Sequence, residues 1–278
     1  MNGDRSRRVA RLPRGLWTSI VVGMTASACG WLLSSALPAL TASYVRLDQL
    51  TALVLGATIG GGVIGVREYR QRRSVSFGVA AGAVLGGVGA LSGASLVAFA
   101  SGMGTPRFFA VERIAAWLLS AAAAGALLST IGGIRPFQWI REIVLIAAIG
   151  GGVSGIIFTL PGAADVWQAV ACIWFGGAIA LAVTGPELWH ANAVVELVPA
   201  RGTRWNPILG REWPLYDGAA LSLGEAQVAC QNGRVTLYPP SGGLIANGHT
   251  VREPRFLHGD TLISVGRTRY RLDLFRCA

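Results

Sequence analysis

The chain has 278 residues, of which 52% are hydrophobic and only 14% charged, with a mean hydropathy of +0.50 and a formal net charge of +10. Soluble domains carry roughly a quarter charged residues, so a wholly soluble globular protein is excluded. The composition is that of a membrane protein diluted by a soluble part.

The charge is unevenly placed. Residues 1–190 hold 14 Arg and 7 acidic residues, while the much shorter stretch 191–278 holds 10 Arg and 7 acidic residues, which puts a domain boundary near residue 190. All 24 basic residues are Arg, which reads as genomic base bias. A basic balance can mark a nucleic-acid binder. Here the Arg residues gather at the ends of apolar runs, where anionic lipid headgroups account for them, and no nucleic-acid partner is expected.

Residues 1–15 carry Arg5, Arg7, Arg8, Arg11 and Arg14 without an apolar face and read as a disordered, basic cytoplasmic tail. Six apolar runs follow, each close to the ~20 residues that a helix needs to cross a bilayer. The first is Leu16–Leu37, ended by Pro38. Ser6-Arg7-Arg8 resembles a twin-arginine signal and Ala26-Ser27-Ala28-Cys29 a lipoprotein cleavage box, but the apolar run continues through Trp31, Leu32 and Leu33, as an uncleaved helix does. The second, Leu50–Val66, exits into Arg67, Arg70, Arg72 and Arg73. Short loops rich in Arg stay in the cytoplasm, so this basic turn fixes the orientation of every other span. The remaining runs are Val75–Ala100, Ile114–Ile134, Ile143–Leu160 (stopped by Pro161-Gly162) and Val166–Val183 (stopped by Gly185-Pro186). Alternation places 11 Arg on the inner side and only Arg46, Arg107 and Arg113 on the outer side. The expectation is a six-span domain over residues 16–186 in a bacterial inner (plasma) membrane, with both termini cytoplasmic.

The third run is rich in glycine. At about 100° per residue, Gly78, Gly82, Gly86, Gly89 and Gly93 fall within an arc of about 80°, a stripe that lets a neighbouring backbone approach closely. Ile59-Gly60-Gly61-Gly62-Val63-Ile64-Gly65 in the second run returns as Ile149-Gly150-Gly151-Gly152-Val153-Ser154-Gly155 in the fifth. Inverted repeats are a transporter habit, but glycine-rich helices converge on such strings by chance, and chance is the reading preferred from the sequence.

Chemistry within the membrane needs ionisable groups at depth, and the six runs hold none away from their ends. Gly152-Val153-Ser154-Gly155 resembles the Gly-x-Ser-Gly element of rhomboid proteases. That serine needs a histidine base on another span, and the sixth run has none. Ser154 is therefore read as a small packing residue. The other hydroxyls and amides (Thr51, Thr58, Ser92, Ser95, Ser120, Ser129, Thr130 and Gln168) are expected to bond helix backbone.

From residue 191 the pattern changes. Short β-prone runs at Val194–Val198, Ala220–Leu223, Gln227–Cys230, Val235–Tyr238, Thr261–Val265 and Tyr270–Phe275 alternate with turn signals, among them Asp217-Gly218, Asn232-Gly233, Ser241-Gly242-Gly243 and Asn247-Gly248. Pro207–Tyr216 reads as a long loop or hairpin. Asn-Gly supplies the positive φ angles of a tight hairpin, and strands this short and regular predict a small all-β sandwich.

Gly210-Arg211-Glu212-Trp213-Pro214-Leu215-Tyr216-Asp217 and Leu221-Ser222-Leu223-Gly224 resemble the opening of a forkhead-associated (FHA) domain. Asn247-Gly248-His249-Thr250-Val251, Leu257-His258-Gly259-Asp260-Thr261-Leu262, Val265-Gly266 and Tyr270-Arg271-Leu272 resemble its end, and the likeness covers residues 193–275. The whole chain is similar to bacterial membrane proteins in which a glycine-rich helical bundle precedes a cytoplasmic FHA domain. The resemblance implies an FHA-like fold over 191–278 with structural turns at Gly224, Asn247, Gly248, Gly259 and Asp260. Family members of the standard kind bind phosphothreonine peptides on loops at one end of a sandwich.

The peptide-binding positions depart from that pattern. Gly224 is followed by Glu225 where the family has Arg, and Gln227–Leu237 forms one short hairpin where its Ser-x-x-His should stand. The loop that usually supplies a contacting Asn reads Ser241-Gly242-Gly243-Leu244-Ile245. No spacing requires Arg204, Arg211 or Arg234 to substitute. His249 and His258 read as solvated turn residues with no third metal ligand, and Cys29, Cys172, Cys230 and Cys277 as free thiols. The fold class expected is thus a membrane all-α bundle of six transmembrane helices followed by a degenerate FHA-like sandwich. The protein would be an adapter in contact with the lipid bilayer and a cytoplasmic protein partner, compatible with a homo-oligomer, without cofactor, metal or enzymatic activity. A small transporter or channel regulated by the β domain is the alternative.

Overall fold

The computed structural model describes residues 14–35, 44–71, 74–100, 110–131, 137–160, 164–198, 212–257, 259–266 and 268–274. The chain divides into two compact units: residues 1–69 with 73–186, and Arg70–Arg72 with Glu187–Ala278.

The first unit is helical: α1 (Arg14–Ser34), α2 (Tyr44–Arg70), α3 (Val75–Ala100), α4 (Ala110–Ser129), α5 (Phe137–Phe158) and α6 (Ala164–Trp189, whose last residues belong to the second unit). All six are long and apolar enough to cross a membrane. Their ends differ from the predicted ones. The first helix stops at Ser34, where the Ser35 N–H bonds the Trp31 carbonyl at 3.0 Å; Pro38, the expected stop, lies outside the described residues. The last helix runs through Gly185-Pro186 instead of ending there. Proline removes one amide donor and crowds the carbonyl four residues back, a local penalty within the final turn. The second helix continues to Arg70, so much of the expected basic turn is helix.

Glycine sets how the helices meet. Gly82 and Gly86 of α3 face Gly60 and Gly56 of α2, and a Cβ at any of the four would run into the partner's backbone carbonyl. Gly78 lies against the Glu68 side chain, whereas Gly89 and Gly93 meet the α4 backbone at Ala124 and at Leu119-Ser120. All five stripe glycines are buried, and the single arc serves two partners, α2 first and then α4. Gly151 and Gly155 of α5 sit against Trp117 and Ile114 of α4, Gly150 against Ala178 of α6, and Gly62 against Ala26 of α1. Gly23 of α1 and Gly176 of α6 meet through their carbonyls, so the order of neighbours closes on itself.

Exchanging α1–α3 for α4–α6 maps this contact pattern onto itself. The Ser27 hydroxyl of α1 donates to the Cys172 carbonyl of α6 at 2.5 Å, and the Ser120 hydroxyl of α4 to the Ala90 carbonyl of α3 at 2.9 Å. The glycine echo thus falls on the middle helix of each half. Ser120 also corrects the expectation that hydroxyls bond their own helix, which holds for Thr58, Ser92, Ser129 and Thr130.

The second unit holds β1 (Ala193–Val198), β2 (Glu212–Leu215), β3 (Ala220–Leu223), β4 (Ala226–Gln231), β5 (Arg234–Tyr238), β6 (Leu244–Ala246), β7 (His249–Val251), β8 (Arg255–Leu257), β9 (Thr261–Val265) and β10 (Thr268–Leu274). They form two antiparallel sheets, ordered β2-β1-β10-β9-β6-β7 and β3-β4-β5-β8. Alternate residues of both sheets, among them Val195, Ile263 and Leu272 from one and Val228, Val235 and Leu237 from the other, build a single core. Three strands, β6 to β8, were not expected, because three residues are too few to display a period of two. β2 lies in the segment read as a loop or hairpin and pairs with β1 from Ala193↔Leu215 to Glu196↔Glu212.

Gly82→Leu puts a branched side chain where the Gly60 backbone lies, so overpacking on the order of 3 kcal/mol is expected. Denaturation of the purified protein in mixed micelles should show a marked loss of stability. An unchanged midpoint would place that face against lipid.

Candidate functional site

The β unit is organised by its two-residue turns. Asn232-Gly233 joins the paired residues Gln231 and Arg234, and Asn247-Gly248 joins Ala246 and His249. Their φ angles are 51° and 72°, and 48° and 83°, the pair of left-handed conformations that a type I′ hairpin demands. Gly224-Glu225 joins Leu223 to Ala226 with positive φ (72°) at the glycine alone, the requirement of a type II′ turn.

The residues singled out by the family resemblance do not converge. Asn247 stands beside the start of β9: its N–H donates to the Leu262 carbonyl at 2.9 Å and its Oδ1 accepts the Leu262 N–H at 2.8 Å. Asp260 Oδ1 accepts the Leu274 N–H at 3.3 Å, and the Gly259 carbonyl accepts the Thr261 hydroxyl at 2.9 Å. Gly248 is exposed, with open space where a Cβ would stand. Gly224 lies instead beside Val265, at the far end of the same strand. Asn247, Gly248, Gly259 and Asp260 therefore brace one end of the two sheets and Gly224 the other.

At the Gly224 end the turn presents Glu225 to solvent. The Ser241-Gly242-Gly243 loop closes there with the Gly243 N–H bonding the Pro240 carbonyl at 2.8 Å. Gly243 (φ 78°) packs beside the Arg252 side chain. Arg252, Glu253 and Arg255 are exposed, so the surface is of mixed sign. Arg234, weighed from the sequence as a substitute cation, opens β5 at the opposite end, next to Asn232-Gly233. Arg204 and Arg211 lie outside the described residues. Exposed apolar side chains stand on the strands between the two ends, with Phe256 at 52% and Ile245 at 50% accessible.

No group of three or more metal-ligating side chains occurs among the described residues. His249 is exposed at the start of β7 rather than in a turn, and His258 lies outside the described residues. Cys29, Cys172 and Cys230 are free thiols; Cys230 Sγ accepts from Asn192 Nδ2 at 3.3 Å, and Cys277 lies outside the described residues. Ser154 is fully buried and donates to the Gly150 carbonyl of its own helix at 2.9 Å.

Sequence reasoning missed the burial of charge at the end of α2. Arg67 and Glu68 are only 8% and 4% exposed, and Arg67 Nη1 donates to the Ile131 carbonyl just past α4 at 2.8 Å. A guanidinium so placed closes a helix end that leaves carbonyls unsatisfied. The signal available was the unbroken helical spacing of Val63, Arg67 and Arg70, which carries the apolar face into the charged residues. Within the second unit, Arg70 Nη2 lies 2.5 Å from Glu212 Oε2.

Asn247→Ala removes one hydrogen bond and leaves an alanine in the left-handed region. The expected cost is about 1–2 kcal/mol, read as a fall in the melting temperature of a 187–278 fragment, while Gly248→Ala tests the strained turn without touching the hydrogen bond.

No protein-family model matches the chain. No curated protein matches it either. Among solved structures the chain aligns with Mycobacterium tuberculosis EmbR in complex with a low-affinity phosphopeptide, at 14% identity over 96% of this chain and 74% of that one, with a TM-score of 0.23. At that score the likeness carries no argument about fold or function.

Proposed function

We propose that the protein is an adapter or scaffold of the bacterial inner (plasma) membrane, multi-pass with both termini cytoplasmic, whose β unit is a degenerate FHA-like domain that binds a cytoplasmic protein without requiring phosphothreonine. The observation that carries this reading is the Gly224-Glu225 turn. A phosphate site needs charge-assisted donors converging on it. The residue after the turn glycine is here an exposed carboxylate, which repels a phosphate of nearly two negative charges. The other residues named by the resemblance stand at the opposite end and are engaged with backbone. Recognition is therefore assigned to an unmodified surface and not to catalysis. Six apolar helices support a bilayer as the first partner, and a homo-oligomer is compatible with this reading.

The second reading is a small transporter or channel regulated by the β unit. The contact pattern repeated between α1–α3 and α4–α6 favours it, because inverted repeats build alternating-access transporters. Solute flux in proteoliposomes, lost on Gly82→Leu, would select this reading over the adapter.

Two outcomes are expected of the adapter. A reporter fused after residue 190 should give a cytoplasmic signal, and a periplasmic one would sink the topology. Paired phosphorylated and unphosphorylated peptide libraries should bind the tail within tenfold of each other. A reproducible phosphate-dependent gain of about 1.4 kcal/mol, tenfold in affinity, would reveal a relocated pocket.

A further inference from the structure

A cavity of about 80 Å³ lies inside the helical unit, walled by residues of α2, α3, α4, α5 and α6. Its apolar lining combines Ala52, Leu55, Ala94 and Ala116 with three aromatic rings. Trp117 meets Phe175 edge-on (ring centroids 4.9 Å apart, planes at 90°) and Phe158 at 5.2 Å with tilted planes. Four polar side chains line the same space: Gln49 and Thr51 near the start of α2, Arg113 in the first turn of α4, and Ser120, whose hydroxyl donates to the Ala90 carbonyl. The sequence placed Arg113 in a loop before its span, but α4 begins at Ala110 and takes it into the bundle.

Among the described residues that line this cavity, Arg113 alone carries a formal charge. The guanidinium of Arg113 sits 5.9 Å from the centroid of the Phe158 ring, and among the described residues no carboxylate pairs with it or lines the cavity. The side chains of Gln49 and Thr51 make no hydrogen bond to another described residue. Cationic side chains within membrane spans are costly and are normally paired. A cation–π contact offsets part of that cost but leaves the donors of the planar fork without a partner among the described residues. Three donors and, among the described residues, no ionised acceptor, beside three aromatic rings, are complementary to an anion carried on hydrocarbon.

We infer that this cavity binds an anionic amphiphile, a carboxylate or phosphate head on an acyl chain. The head is held by Arg113, Gln49 and Thr51, and the first methylenes pack on Trp117, Phe158 and Phe175. An apolar cavity of ~150 Å³ admits the six carbons of benzene, so a space about half as large seats a carboxylate with its first methylene, with the rest of the chain outside. A membrane phospholipid and a free fatty acid share this chemistry.

The test uses the full-length protein in an uncharged detergent, with radiolabelled laurate as probe, dodecanol as its neutral counterpart and inorganic phosphate as a head without a tail. Laurate should bind stoichiometrically and at least tenfold more tightly than dodecanol, and phosphate alone should not bind measurably. Arg113→Gln should weaken laurate at least tenfold and leave dodecanol unchanged, while Arg113→Lys keeps part of the preference. Should Arg113→Gln fail to fold, the laurate-to-dodecanol ratio on the unaltered chain and the effect of Gln49→Ala still decide. Displacement of laurate by phosphatidylglycerol but not phosphatidylcholine would name a membrane lipid as the source; no displacement by either would name the free fatty acid, and each supports the site. Equal binding of laurate and dodecanol, laurate uptake unaffected by Arg113→Gln, or phosphate binding as tightly as laurate would overturn it.

Discussion

In a bilayer, lipid supplies no hydrophobic drive for one apolar helix to leave the hydrocarbon and join another, so six helices long and apolar enough to cross one would be held there by what is gained at the contacts themselves. In this chain the gain comes from backbone meeting backbone. Gly56 and Gly60 on α2, Gly82 and Gly86 on α3, and Gly23 and Gly176 on α1 and α6 bring carbonyls against the opposing helix where any Cβ would collide. The close approach has a further effect: it brings main-chain oxygen within reach of a short side chain on the next helix. Ser27 reaches the Cys172 carbonyl and Ser120 the Ala90 carbonyl only because the helices lie so near. Packing and polar cross-links are thus one constraint expressed twice.

Glycine contact draws α2 onto α3, and it draws α5 onto α4 as far as Trp117 and Ile114 near the start of α4. The cavity beside Arg113 lies where the side chains of Trp117, Phe158 and Phe175 meet. Towards the other end of α2 the bundle is closed by Arg67, whose guanidinium binds the Ile131 carbonyl. Two arginines near helix ends, indistinguishable by composition, therefore stand in opposite surroundings. One is occupied with backbone; the other faces a ring and a void.

Much of this architecture was legible in the residues, because the underlying physics is local. A glycine arc follows from helical geometry alone, and the positive φ at Asn232, Gly233, Asn247 and Gly248 follows from the hairpin that two paired strands require. What escaped is non-local. Burial of Arg67 depends on the chain after α4 coming back to meet α2. The division of the glycine stripe between two partners depends on the order of helices around the bundle. β6, β7 and β8, with three residues each, owe their existence to pairing with β9, β6 and β5 respectively rather than to any pattern of their own. The extension of α6 through Pro186 shows a strong local rule yielding to the helix it sits in.

The β unit also separates what a fold needs from what a binding site needs. Gly224 is dictated by its φ of 72°, since a side chain there would be strained whatever it touched. The next residue, Glu225, has no such demand: its backbone lies outside the left-handed region and its side chain is in solvent. Arginine, glutamate or serine would serve the turn equally well. At the other end, Asn247 and Asp260 spend their oxygens on the Leu262 and Leu274 amides and are tied to the register of β9 and β10. A β unit can therefore keep the glycine that its turn requires while the position beside it stays free to carry either charge, and the fold by itself carries no information about which ligand is bound.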